Sequence, residues 1–211
     1  MNNCKVCFSS IKNQGMNAII KNKSLCQKCY NEFEVIYKYE KIEEVDTLFL
    51  YNYNDYLKKL IYQFKGCYDI ELRSVFLERH LIFLKLIYRG YHLVCVPSSK
   101  NDDKSRSFNH VEEIFSFMKL PMEKCLEKIN DEKQSNRKRN ERRKIKNNIK
   151  LINGEALKNK KVLIVDDIYT TGNTLKTCIE LVKECKPKKI KALVVCKNCR
   201  NSVNFLDRKG F

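Results

Sequence analysis

Hydrophobic positions fall into two patterns along the chain, one helical and one extended. From Tyr56 to Phe64, the residues Leu57, Leu60, Ile61 and Phe64 recur at helical spacing and predict an amphipathic helix. The same period runs from Ile70 to Tyr88 through Leu72, Val75, Phe76, Leu77, Ile82, Phe83, Leu86 and Ile87, predicting a second helix that Gly90 can close. After Gly90 the pattern changes. His92 to Val96 is a short apolar run ended by Pro97, Lys161 to Val165 is another, and Ile190 to Val195 is a third. Each reads as a buried strand. Between them, Asn109 to Met118 and Asn173 to Cys185 read as helices, followed by Pro121 and Pro187. Strands alternating with helices imply a parallel sheet in an α/β domain. No repeat is visible at a solenoid period.

An apolar fraction of 43% supports a genuine core. The formal net charge of +17 predicts attraction to a polyanion such as nucleic acid and says little about fold. No apolar run is long enough to span a bilayer. The start, Met-Asn-Asn-Cys-Lys, lacks the apolar stretch of a signal peptide, so a cytoplasmic location is expected. The eleven cysteines are then expected as thiols, metal ligands or small buried hydrophobes, not as a disulfide framework.

Residues 1–40 are Cys-rich and too short to hold a shape without a staple. Cys4-Lys-Val-Cys7 and Cys26-Gln-Lys-Cys29 are two C-x-x-C pairs with 18 residues between them. Four thiolates at that spacing suit tetrahedral Zn²⁺, and a closed shell of four would make the metal structural. Four unrelated thiols, or a redox pair, are the alternatives. Cys196-Lys-Asn-Cys199 is a third pair with no second pair near it in sequence, read as simple thiols over a zinc grip or a redox pair. Cys67, Cys95, Cys125, Cys178 and Cys185 read as core or surface thiols. The expected organisation is a zinc ribbon over 1–40, a helical connecting segment over 41–89 and an α/β domain over 90–211.

The most informative stretch runs from Val162 to Leu175: a buried strand, Asp166 and Asp167 at its carboxyl end, a loop containing Thr170 and Thr171, then a helix. Open α/β sheets bind ligands at that edge. The loop's N–H groups and the helix start suit a dianionic phosphate, with hydroxyl donors from Thr170, Thr171 and Thr174. Gly172 lets the backbone approach the phosphate without a Cβ in the way. Twin acids repel a phosphate but can accept hydrogen bonds from a vicinal diol, or hold Mg²⁺ through water. A ribose 5-phosphate carries both features. An ordinary strand end with a capping Asp and turn-forming Thr is the alternative.

This segment resembles the phosphoribosyl-pyrophosphate (PRPP) signature of type I phosphoribosyltransferases: apolar strand, Asp-Asp, two variable residues, Thr-Thr-Gly-x-Thr. The resemblance implies ribose contacts for Asp166 and Asp167. It implies a 5-phosphate loop of Ile168, Tyr169, Thr170, Thr171, Gly172, Asn173 and Thr174, and Mg²⁺ accompanying the ligand. It also implies a pyrophosphate loop after the first core strand, where Ser98, Ser99 and Lys100 stand. A four-Cys ribbon ahead of such a domain is similar to the ComF (ComFC) competence family. The helix ending Phe64-Lys65, the Val96-Pro97-Ser98 segment and Arg106-Ser107-Phe108-Asn109-His110 look like that family's landmarks, with Ser107 and His110 in place of Gly and Gln. The expected fold class is therefore α/β, a parallel-sheet phosphoribosyltransferase-like domain with a small N-terminal zinc ribbon.

Lys133 to Lys150 holds nine basic residues and one acid, Glu141, a net +8 inside a polar, basic stretch at about 121–150. Phosphoribosyltransferases carry a mobile loop there. Arg137, Lys138, Arg139, Arg142, Arg143, Lys144 and Lys146 are candidates for single-stranded DNA phosphates, with strong salt dependence. A clamp over pyrophosphate and a solvated basic face are the alternatives. Tyr30, Phe33, Tyr37 and Tyr39 can stack bases, although packing beside the ribbon is the favoured role. His80 reads as a helix-surface residue, His92 as a strand residue, and His110 as a residue within reach of the active-site loop. The resemblance implies natural transformation, with PRPP or a related phosphosugar, single-stranded DNA, a competence helicase and other competence proteins as partners. A genuine transferase acting on an unidentified acceptor, and a DNA-binding scaffold with a silent pocket, remain open beside it.

Overall fold

In a computed structural model, residues 3–11, 24–98, 108–129 and 149–198 are described. A five-stranded sheet forms the centre. Its strands are β1 (Val35–Ile42), β2 (Val45–Asn52), β3 (Tyr91–Cys95), β6 (Lys161–Tyr169) and β7 (Lys189–Lys197), in the order β1-β2-β7-β6-β3. Strands β2, β7, β6 and β3 are mutually parallel, and β1 closes one edge antiparallel to β2. The parallel strands carry continuous apolar runs because both faces are covered. Leu163, Val165, Leu193 and Val195 face one core with α2 (Asp55–Gly66), α3 (Leu81–Ile87) and α4 (His110–Phe115). Val162, Ile164, Ala192 and Val194 face a second core beneath α5 (Asn173–Glu184). The short antiparallel pair β4 (Leu126–Lys128) and β5 (Ile149–Leu151) adds Ile149 and Cys125 beside it to that second core.

The three expected strands and the helices near Tyr56, Asn109 and Asn173 are present, with shifted ends. Helix α2 starts one residue early because the Asn54 side chain caps it, accepting from the Leu57 amide at 2.9 Å. Helix α5 has Gly172 at its N-cap.

The chain departs from expectation in three places. The single helix expected over Ile70 to Tyr88 is broken: a 3₁₀ turn spans Ile70–Ser74, irregular turns follow, and α3 begins at Leu81. Too many apolar side chains had to be buried for one helical stripe. The break turns Leu72, Val75, Phe76, Leu77, Leu84 and Tyr88 inward and leaves Ile82 and Leu86 exposed. His80, expected on a helix surface, is 1% exposed, and its Nδ1 accepts from the Tyr37 hydroxyl at 2.5 Å.

Strands β1 and β2 were not anticipated. They put sheet where a ribbon and a helical connector were expected, and β1 runs across residue 40. Their turn, Glu43-Glu44, has φ of +46° and +63°, the left-handed geometry of a two-residue hairpin, without the Asn-Gly signature that usually announces one.

Candidate functional site

Strand β6 delivers the acids. Val162 to Val165 are fully buried, so the strand is pinned from both faces up to the point where Asp166 begins. Beyond it, β6 continues to Tyr169, and the chain turns through Thr170 and Thr171 into α5. Thr170, Thr171, Asn173 and Thr174 are exposed at the carboxyl edge. Ile168 packs against the first core and Tyr169 against the second, so these two hold the loop down from below. Gly172 has φ +76°, and a Cβ there would stand 2.6 Å from Cε2 of Tyr169. Only glycine fits both the left-handed backbone and the ring beneath it. The Tyr169 ring lies edge-on to Phe49, 5.1 Å between centroids, and the Lys197 ammonium sits over both rings at 5.4 and 4.9 Å.

The two carboxyl groups titrate as an interacting pair. Asp167 is only 4% exposed. Burial opposes its charge, but the Lys65 ammonium, then His110, outweigh burial and hold the carboxyl below the usual range. Lys65 forms an ion pair with Asp167 Oδ2, and His110 Nε2 lies 3.5 Å from the same oxygen. Asp166 goes the other way: burial, then the charge of Asp167, pushes it well above the usual carboxylate range. Its Oδ1 accepts from the Asp167 amide at 2.9 Å. One carboxylate and one carboxylic acid side by side offer both acceptors and a donor to a ligand's hydroxyl groups.

Lys65 was not among the predicted site residues. Its signal was the Phe64-Lys65 ending of the first helix, quoted for its resemblance but assigned no role. His110 does reach the acids. Asn109 caps α4, accepting from the amides of Val111 and Glu112, and its Nδ2 donates to Ser98 Oγ at 3.1 Å. Ser98 lies three residues past β3, whose last residue Cys95 is paired with Val165, the residue before the acids. Ser99 and Lys100 lie outside the described residues, as do Arg137, Lys138, Arg139, Arg142, Arg143, Lys144, Lys146 and Cys199. Cys196 is buried, and its thiol donates to the Asp167 carbonyl at 3.2 Å. A cavity of about 210 Å³ opens beside Ser98, between Cys95, Asn109, Glu112 and the β4 backbone.

At the other end of the first core, Cys4, Cys7, Cys26 and Cys29 come together with all four sulfurs within 4.8 Å of one another. Cys7 and Cys26 are 3.5 Å apart. Zinc–sulfur bonds of about 2.3 Å place tetrahedral ligands roughly 3.8 Å apart, so the cluster fits Zn²⁺ with little adjustment. Hydrogen bonding, chiefly from the Ser9 hydroxyl and amide, lowers the Cys7 thiol to about 6. The Cys26 thiol is lowered as well, mainly by the Cys29 amide. Burial pushes Cys29 up. A bound cation would reverse that preference.

The sheet order, the loop and the twin acids define a phosphoribosyltransferase-type domain. The family model for the phosphoribosyl transferase domain matches residues 127–207. Competence protein ComFC of Streptococcus pneumoniae is 31% identical over 142 residues, covering 67% of this chain and 64% of that protein. Its Bacillus subtilis counterpart is 31% identical over 128 residues, covering 60% and 53%. The chain belongs to the ComF/ComFC family, and it spans between about half and two thirds of the length of these relatives. Hypoxanthine-guanine phosphoribosyltransferase of Bos taurus is 44% identical over 61 residues, 27% of this chain and 28% of that one. Among solved structures, hypoxanthine phosphoribosyltransferase from Staphylococcus aureus aligns at 19% identity with a TM-score of 0.37, covering 59% of this chain and 72% of that one. The hypoxanthine phosphoribosyltransferase of Trypanosoma cruzi aligns at 13% identity with a TM-score of 0.40, covering 61% and 78%. Among the described residues, no helix is long and apolar enough to cross a membrane.

Proposed function

We propose that this chain serves natural transformation as a ComFC-type protein: it binds PRPP, or a related 5-phosphoribosyl ligand, at the carboxyl edge of the sheet and single-stranded DNA on its basic surface. The observation that carries the first half is the placement of Asp166 and Asp167 near the end of β6, two residues before the turn in which Thr170, Thr171, Asn173 and Thr174 are exposed at the start of α5. In this reading, the sugar's hydroxyls lie against the acids, and the 5-phosphate lies against the loop amides and the Thr hydroxyls. Asn109 holds Ser98 toward the pyrophosphate end. Mg²⁺ would supply charge neutralisation of the pyrophosphate and would favour ionisation of Asp166, which is otherwise disfavoured beside Asp167.

DNA binding rests on charge. The net +8 between Lys133 and Lys150 falls, apart from Lys150 on β5, which pairs with Glu127 at 2.9 Å, in the connection between β4 and β5, on the chain between β3 and β6. The four-Cys cluster holds one structural Zn²⁺, whose role is to fix a head too small to fold on burial alone. A cytoplasmic location follows from the proposed handling of incoming strands.

Calorimetry with PRPP and Mg²⁺ on the wild type and on Asp166→Asn and Asp167→Asn tests the phosphosugar half. Each hydrogen bond to a charged group is worth about 1.5–3 kcal/mol, so a loss of tenfold or more is expected for Asp167→Asn. Unchanged affinity in both variants would remove the assigned contacts.

A further inference from the structure

The Asp167 carboxylate is buried, yet Lys65 reaches it from α2, a helix outside the matched phosphoribosyl transferase segment. We propose that Lys65 is the positioning residue of the phosphosugar site: through its ion pair it keeps Asp167 ionised and aimed, so that Asp167 rather than Asp166 is the acceptor for the ligand's hydroxyl. This deepens the function proposed above and rests on it.

The surroundings of Asp167 single out this pair. Five titratable groups bear on it: Lys65 from α2, His110 from α4, Asp166 on its own strand, Cys196 from β7 and Tyr53 after β2. Burial holds the Cys196 thiol and the Tyr53 phenol protonated, so neither adds charge. Asp166 repels any charge on Asp167. Lys65 and His110 remain as the attractive partners; Lys65 forms the direct ion pair with Oδ2, and His110 Nε2 stands 3.5 Å from the same oxygen.

The geometry also explains how a buried carboxylate serves a ligand. The Lys65 side chain is 26% exposed while that of Asp167 is 5% exposed. The ammonium thus sits at the boundary between protein and solvent, paired in charge with one carboxylate oxygen, Oδ2. A carboxylate has about four lone-pair sites, so capacity is left for a ligand's hydroxyl beside these contacts. The pair holds one negative charge in a desolvated place; without the ammonium only His110 would favour keeping that charge on Asp167, and its carboxyl would take up a proton more readily. A protonated Asp167 would offer the hydroxyl a weaker acceptor.

Three full-length proteins test this, each loaded with zinc: Lys65→Met, Lys65→Arg and the Lys65→Met/Asp167→Asn double variant. The double variant removes both charges and leaves no orphaned ion, which keeps the comparison available if the single variant folds poorly. The first readout needs no ligand: carbon-13 carboxyl NMR of aspartate-labelled protein. The Asp167 midpoint should move up by at least one pH unit in Lys65→Met and return in Lys65→Arg. An unmoved midpoint overturns the proposal. The second readout is PRPP affinity between about pH 5 and 8. Wild type and Lys65→Arg should share one profile over that range, since the ligand's phosphates titrate alike in both. Relative to wild type, Lys65→Met should bind about tenfold or more weakly at the lower end and recover as pH rises. A Lys65→Met profile that matches the wild type throughout also overturns it. If the wild type fails to bind PRPP while the carboxyl midpoint still moves, the phosphosugar reading fails and the charge-holding role of Lys65 stands.

Discussion

Adding one methyl group at Gly172 tests the phosphate loop from beneath. Gly172→Ala asks alanine to adopt φ +76°, a left-handed conformation that costs an L-residue about 1 kcal/mol. The new Cβ also collides with the Tyr169 ring, whose Cε2 is 2.6 Å away. The ring must leave, losing its edge-on contact with Phe49, worth about 1 kcal/mol, and its share of the Lys197 cation contact, worth about 0.5 kcal/mol. The sum is about 2.5 kcal/mol. In a Tyr169→Ala background the collision is gone, so Gly172→Ala should cost only the backbone share, about 1 kcal/mol. Urea unfolding of the wild type, the two single variants and the double variant reads this directly, as a coupling of about 1.5 kcal/mol. Equal costs for Gly172→Ala in both backgrounds would refute the account, because the ring would then have nothing to do with the requirement for glycine. PRPP affinity should fall with Gly172→Ala and recover only in part in the double variant, since the helix start is still displaced.

Three further outcomes are expected. His80 is held neutral by burial, with its pKa lowered to about 4, so the folded chain binds fewer protons than the unfolded one; stability present above pH 6.5 should be lost between pH 6.5 and 4, by about 3 kcal/mol, and the difference between wild type and His80→Gln in urea titrations across that window checks it, a constant difference counting against it. Metal analysis of the purified protein should find about one zinc per chain; Cys4→Ser should lose the metal and much of the solubility, and a stable, zinc-free variant would reduce the cluster to four thiols. Fluorescence anisotropy with single-stranded DNA should show affinity falling steeply with salt, and charge reversal at Arg137, Lys138, Arg139, Arg142 and Arg143 should flatten that slope; an unchanged slope would move the DNA surface elsewhere.

The α/β half was legible because its buried parallel strands are continuous apolar runs and its helices are punctuated by Pro121 and Pro187. The turn from Asp166 to Thr174 was legible as a strand-to-helix turn because the apolar run of β6 ends at the acids and Gly172 stands where φ is positive. The sheet's other half was hidden. β2, with Leu48 to Tyr51 all buried, has the composition of a core strand, but the Glu43-Glu44 turn before it carries no glycine or asparagine to mark a hairpin. The break before α3 was hidden as well, since spacing alone cannot tell how much of an apolar stripe the core has room for. Lys65 escaped for a different reason: a lysine ending an amphipathic helix reads as solvated, and only the approach of α2 to β6 shows that its charge is spoken for.

That approach has a mechanical consequence. Helix α2 is twelve residues long. In its first turn Tyr56 packs on Phe33, 5.4 Å between rings, and burial, then the nearby Cys29 and Cys4 sulfurs, oppose ionisation of its phenol. In its last turn Lys65 meets Asp167. The two contacts are about 14 Å apart along the axis. Oxidation or chelation at the thiol cluster would therefore loosen one bearing of a lever whose far tip rests on Asp167, and damage to the head would be felt at a place with which it shares no atom.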